Sequence, residues 1–238
     1  MCQKFLQLEA LHNGLVVSCQ AGPESPLNAP HFIAAMAKSA EMGGAIGFRV
    51  DRPENIAAVR AISELPIIGI NKIYTPGYDL YITPTYASAE AAVQAGANLL
   101  AIDATGRLRP NGETFREIVS KVHDRLNVPV MADVGTIEQG LQALEDGADM
   151  VATTMSTSAP YGKPEDGPGL HIVEALVKVT DRPIIVEGQV WTVEAMQACF
   201  DAGGYAVVIG SAITVPQFIT QRFVRALPAA FKEVRNER

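Results

Sequence analysis

The chain has 238 residues, 48% of them hydrophobic, and a formal net charge of -7 at pH 7. That length suits two small domains or one α/β barrel, and the acidic balance argues against a nucleic-acid surface while leaving room for a local basic pocket around an anionic small molecule. No apolar stretch reaches the roughly 18 residues needed to cross a membrane, the first residues lack a hydrophobic signal core, and Cys2, Cys19 and Cys199 form no C-x-x-C pair, so a cytoplasmic protein with reduced thiols is expected.

Strand and helix signals alternate from end to end. Residues 15–18 predict a first strand, and 30–42 a helix whose first-turn Pro30 lacks only an N–H that would go unbonded anyway. Residues 45–48 precede a helix over 54–63, and 66–70 precede an irregular Tyr/Pro/Gly/Thr stretch and a helix over 88–95. Strands over 99–102 and 129–132 are each followed by a helix, over 114–126 and 136–145. A strand over 149–152 leads into a Ser/Pro/Gly-rich loop, 157–168, readable as a rim loop, a lid or a passive connection, and then a helix over 170–179. Residues 183–186, a helix over 192–202, residues 206–209 and a closing helix from Pro216 complete eight strand-helix units.

Glycines recur where helices must stop, at Gly43, Gly96, Gly147 and Gly203, and Pro66, Pro129 and Pro183 open strands where a missing donor is tolerated. Short strands with almost no polar residue are buried on both faces, as in a parallel sheet covered by helices. Eight such units, with no linker dividing them, predict a single (β/α)8 TIM barrel with a short N-terminal extension before the first strand.

The apolar runs end in polar residues, and in a parallel barrel these ends open on one face. Gln20, Arg49, Lys72, Asp103, Asp133, Thr153, Thr154, Glu187, Gly188, Gly210 and Ser211 should therefore ring one pocket. A lysine facing an arginine there loses stability as a cation, so Lys72 is a candidate base, and Glu187 is placed to hold it or to move protons itself. Position alone equally allows a solvated Lys72 with Glu187 as its surface ion-pair partner. Gly210 and Ser211, with Gly188, offer backbone N–H groups to a phosphate or form only a tight turn. The carboxylates of Asp103, Asp133 and Glu187 suit a hard cation, but none of His12, His31, His123 and His171 falls at a predicted strand end. Trp191 and Cys19 read as packing residues.

As whole motifs, Val17-Ser18-Cys19-Gln20-Ala21, Gly43-Gly44-Ala45-Ile46-Gly47-Phe48-Arg49, Pro66-Ile67-Ile68-Gly69-Ile70-Asn71-Lys72, Tyr81-Ile82-Thr83-Pro84-Thr85, Ala101-Ile102-Asp103-Ala104-Thr105, Ala132-Asp133-Val134, Glu187-Gly188 and Gly210-Ser211-Ala212-Ile213-Thr214 occur in this order. In these the chain resembles the N-acetylmannosamine-6-phosphate 2-epimerase family, (β/α)8 enzymes of sialic-acid catabolism. The resemblance implies interconversion of two amino-sugar 6-phosphates without metal or organic cofactor. It implies Lys72 as the acid/base at C2 of the ring-opened sugar and Glu187 as the group assisting ring opening or proton relay. Arg49, Gln20 and Asp133 would hold the substrate, and Gly188, Gly210 and Ser211 its phosphate. The chain departs from the family's usual pattern at Val215, where an arginine is common, at Gly135, where serine is common, and in the loop after Thr157. A Schiff-base aldolase and a non-catalytic sugar-phosphate-binding barrel are the other functions that the same lysine and altered loops admit. Such enzymes often form homodimers; the closing helix, with Phe218, Ile219, Phe223 and Leu227 at near-helical spacing, is a candidate face, although packing on its own barrel is the more economical expectation.

Overall fold

In the computed structural model of the chain, residues 3–158, 160–161 and 167–228 are described, without the side chains of 3–5. Eight parallel strands close in chain order into a barrel: β1 (Leu15–Cys19), β2 (Gly47–Asp51), β3 (Ile67–Ile70), β4 (Leu99–Asp103), β5 (Val130–Asp133), β6 (Met150–Ala152), β7 (Ile184–Glu187) and β8 (Ala206–Ile209), which pairs back onto β1. A short helix α1 (Gln3–Glu9) precedes β1. The connecting helices are α2 (Pro30–Met42), α3 (Pro53–Arg60), α4 (Tyr86–Gln94), α5 (Phe115–Leu126), α6 (Ile137–Glu145), α7 (Leu170–Leu176) and α8 (Val193–Asp201), and α9 (Ser211–Thr214) and α10 (Pro216–Arg225) follow β8.

Successive side chains of a strand point to opposite faces, so each strand feeds two cores. Outward residues such as Val17, Cys19, Phe48, Val50, Leu100 and Ile102 pack against the helices. Inward residues, among them Val16, Ile68, Ile70, Leu99, Met131, Met150, Ile185 and Val208, fill the barrel, which is thus a packed core and no pore. Leu11 joins this inner cluster at the N-terminal end, where the missing side chain of Gly47 gives it room.

Thr114, Thr136 and Thr192, each expected as a first helical residue, are instead extended N-caps whose side chains accept from the backbone N–H three residues on. A larger difference falls on the second strand. The turn through Gly43, Gly44 and Ala45 consumes the start of the apolar run, and β2 runs on through Arg49 to Asp51. Those two charged residues face inward, which hides the strand from a reading based on apolar runs.

The closing helix also departs from expectation. None of its residues is buried; it packs chiefly on α9, and Phe218, Phe223 and the following Leu227 are exposed. Val215, at φ -118° and ψ 84°, and Pro216 interrupt the helical path after α9, so α10 leaves the barrel rather than covering it.

Candidate functional site

The period of two along each strand sets the depth of every candidate residue. Ser18 lies below Gln20, Arg49 below Asp51, Ile70 below Lys72 and Ile185 below Glu187. At the C-terminal mouth Ser18 and the upper residues Gln20, Asp51, Lys72 and Glu187 line a cavity of about 580 Å³. Gln20, Lys72, Glu187, Gly188, Gly210 and Ser211 line it, as expected from their strand ends. Arg49 and Asp133 do not reach its wall; they are 1% and 0% exposed and form a charged floor underneath.

That floor is one network. Arg49 donates two parallel bonds to Asp133, Nη1 to Oδ1 at 3.0 Å and Nη2 to Oδ2 at 2.6 Å, and Nη1 also donates to Glu187 Oε2 at 2.6 Å. The Thr154 hydroxyl lies 2.7 Å from Asp133 Oδ1 and 3.2 Å from Glu187 Oε2. Glu187 is clamped at its backbone too, where its N–H donates to the Thr153 hydroxyl and its carbonyl accepts from it, both at 3.1 Å. Burial disfavours the Arg49 cation, but the charges of Asp133 and Glu187 outweigh it and hold the guanidinium above its ordinary range. Glu187 shares that one cation with a second carboxylate. Burial, with the charge of Asp133, outweighs Arg49 and raises the Glu187 pKa, favouring a neutral carboxylic acid at the cavity wall.

Lys72 is fixed by its backbone. It forms an antiparallel bridge with Ile82, flanked by bonds from Thr83 N–H to the Asn71 carbonyl at 3.1 Å and from Ile73 N–H to the Tyr81 carbonyl at 3.0 Å. Its own N–H donates to Asp51 Oδ1 at 2.8 Å. The amine donates to Gln20 Oε1 at 2.6 Å, and the Gln20 amide nitrogen donates to the Ser18 hydroxyl at 2.7 Å, so the lysine meets a neutral oxygen rather than the carboxylate of Glu187. Burial lowers its pKa, Arg49 lowers it further, and the carboxylates of Asp51, Glu187 and Asp133 work against both. An amine and a carboxyl on the wall of one cavity, each pushed by burial toward its neutral form, can between them take up one proton and give another.

Other candidates fall elsewhere. Asp103 is fully buried away from the cavity, with Oδ1 accepting from the Thr105 N–H and hydroxyl, and Thr153 serves the Glu187 backbone. The four histidines lie off the strand ends, and His123 on α5 bonds to Asp149 at 2.8 Å. Among the described residues, no group of three or more His, Cys, Asp and Glu is placed to hold a metal ion. Trp191, read as packing, instead lines the cavity, its ring under Arg222 and its N–H donating to Gln189 Oε1 at 2.9 Å. Val215, at the family's usual arginine position, lines it too; Asp51, Arg52 and Tyr74 also line it and were not anticipated as wall residues, and for Asp51 the available signal was its i+2 spacing from Arg49. Lys72 and Arg52 are the cationic side chains on that wall. Arg52 has φ 74°, an unfavourable backbone for a side-chain-bearing residue, and the guanidinium bonds to Asn28. At Gly135 an added Cβ would lie 2.4 Å from the Tyr161 ring, so the glycine makes room for that tyrosine. Of the loop 157–168, residues 159 and 162–166 lie outside the described residues.

Residues 33–229 match the family model NanE, described as "Putative N-acetylmannosamine-6-phosphate epimerase". Relatives named "Putative N-acetylmannosamine-6-phosphate 2-epimerase" include one from Caldanaerobacter subterraneus subsp. tengcongensis, 41% identical over 91% of this chain and 92% of that protein, and one from Synechococcus elongatus, 42% identical over 94% and 97%. The solved N-acetylmannosamine-6-phosphate 2-epimerase of Clostridium perfringens superposes with a TM-score of 0.89 at 37% identity, covering 92% of this chain and 96% of that one. A thiamine phosphate pyrophosphorylase from Pyrococcus furiosus, at 13% identity and a TM-score of 0.61, shares the fold alone. With a family model matched over most of its length and relatives near 40% identity along more than nine-tenths of it, the chain belongs to the N-acetylmannosamine-6-phosphate epimerase family.

Proposed function

We propose that this protein is an isomerase that interconverts N-acetylmannosamine 6-phosphate and N-acetylglucosamine 6-phosphate, without cofactor, in the breakdown of amino sugars such as sialic acid. The observation that carries the reading is the buried Lys72 amine, bonded to Gln20 rather than to a carboxylate, in the same cavity as the Glu187 carboxyl. In the ring-opened sugar the C1 carbonyl acidifies the C2 hydrogen. Neutral Lys72 takes that proton; the C2–H bonding pair becomes the C1–C2 double bond, and the carbonyl π pair moves onto O1. Glu187, as a neutral acid backed by Arg49, donates to O1 as charge develops there. Delivery of a proton drawn from solvent to C2 on the opposite face inverts that carbon; the Lys72 ammonium gives up the proton it took, O1 returns its proton to Glu187, and no proton is consumed overall.

In this reading Gln20 orients the Lys72 amine, while Arg49 and Asp133 act from below by holding Glu187. Gly188, Gly210 and Ser211 offer backbone N–H groups to the phosphate, and Arg52 supplies a wall cation where Val215 supplies none. Incubation with N-acetylmannosamine 6-phosphate in deuterated water is expected to place one deuterium at C2 of the product, and Lys72→Met to slow this by about 10³-fold or more. Absence of exchange at every enzyme concentration rejects the reading.

The protein further acts, on this reading, as a homodimer in the cytoplasm. The exposed apolar side chains of α10 and an apolar groove left open among the described residues, lined by Leu15, Val17, Phe32, Met36 and Ile213, support a second copy as partner. Buried free thiols at Cys19 and Cys199 suit a reducing compartment.

A further inference from the structure

Asp51 is a carboxylate 8% exposed on the wall of the cavity, where burial raises its pKa and the bond from the Lys72 N–H and the charges of Lys72, Arg52 and Arg49 work against that rise. Keeping such a group ionised there requires a nearby cation or good hydrogen bonds. The charged groups facing it are Lys72, Arg52, whose Nε lies 3.9 Å from Oδ2, and Arg49. Arg49 is already paired with Asp133 and Glu187 in the floor. Among the described residues Lys72 is thus the buried cation left for Asp51, and its backbone N–H is bonded to Asp51 Oδ1 at 2.8 Å. Lys72 itself faces Asp51, Arg49, Glu187 and Asp133, and Asp51 is the strongest of the carboxylates acting on its charge.

We propose that Asp51 is a positioning residue that anchors the backbone from which Lys72 reaches Gln20 and sets the proton affinity of the Lys72 amine. The assignment rests on the acid/base reading of Lys72. A lysine that takes a proton from carbon must hold it as an ammonium long enough to return it or pass it on. Burial and Arg49 both lower the proton affinity of the amine; one buried carboxylate, offset from the Arg49 network by a single inward position on β2, works against them.

The test compares wild type with Asp51→Asn, which keeps an oxygen for the Lys72 N–H and removes the charge. The readout is the pH dependence of Lys72 acylation, followed by peptide mass spectrometry without substrate. In Asp51→Asn the Lys72 midpoint is expected to move down by about one pH unit, and the acid limb of kcat/KM to move with it. A merely structural role would lower thermal stability and leave the midpoint in place, and that result overturns the proposal. A moved midpoint in a protein that never exchanges C2 hydrogen keeps the Asp51 assignment and rejects the epimerase; exchange with an unmoved midpoint does the reverse. Should Asp51→Asn fail to fold, Lys72→Met gives the reciprocal measurement, because coupling between two sites is felt equally at both. There the Asp51 carboxyl, followed by carbon NMR, is expected to titrate higher than in wild type, and an unmoved carboxyl overturns the proposal.

Discussion

At the scale of single residues, the proposed mechanism asks two ionisable groups to react in their neutral forms. The Lys72 amine is pushed toward neutrality by burial and the Glu187 carboxyl toward neutrality by burial and Asp133. The signs fix the pH profile. A base that must be neutral makes the rate rise with pH, an acid that must be protonated makes it fall, and together they give a bell whose limbs belong to the pair. Glu187→Gln, which cannot ionise, is expected to remove the alkaline fall and leave a rise to a plateau, with kcat/KM lower by about 10²-fold. A bell that survives in this variant would remove Glu187 from the acid role. Lys72, Gln20 and Glu187 were legible in the sequence because each ends an apolar run. Asp51 was not, because the charge at Arg49 made β2 look finished three residues early, and the depth of Arg49 and Asp133 depends on barrel stagger that no single segment encodes.

At the scale of elements, β3 shows how closely helices must approach for the ring of strand ends to converge. Gly69 points outward from β3, and an added Cβ would lie 2.5 Å from Ala97 Cβ in the turn after α4, 3.2 Å from Ile56 Cδ1 on α3 and 3.4 Å from Ala92 Cβ on α4. Gly69→Ala is expected to cost about 1–3 kcal/mol through overpacking, seen as a lower urea midpoint at unchanged slope. Gly22→Ala, with no atom near the added carbon, should change stability by less than about 0.5 kcal/mol. Equal effects at the two sites would mean that helix approach is not what limits β3. The order and type of the strand and helix units was readable because glycine stops and proline starts repeat along the chain. Helix starts were off by a residue wherever a threonine cap was counted as helix, and α1 and the path of α10 left no local signal, since both depend on what the barrel ends offer them.

At the scale of the whole molecule, the barrel closes its own sheet but leaves one helix outside. Phe223 on α10 is 73% exposed, and Phe218 and Leu227 are also exposed beside it. In sedimentation velocity the wild type is expected to run as a dimer and Phe223→Glu as a monomer with its circular dichroism unchanged; a monomeric wild type at micromolar concentration removes the dimer. The closed wall has a further consequence at Cys19. Its thiol points outward from β1 into the helix layer, wholly buried, with burial raising its pKa to about 12. Alkylating reagents need a thiolate they can reach, so Cys19 stays silent for as long as β1 keeps its neighbours. The first strand of the barrel thereby carries its own clock: the rate at which Cys19 is alkylated, read peptide by peptide, measures how often the ring comes open.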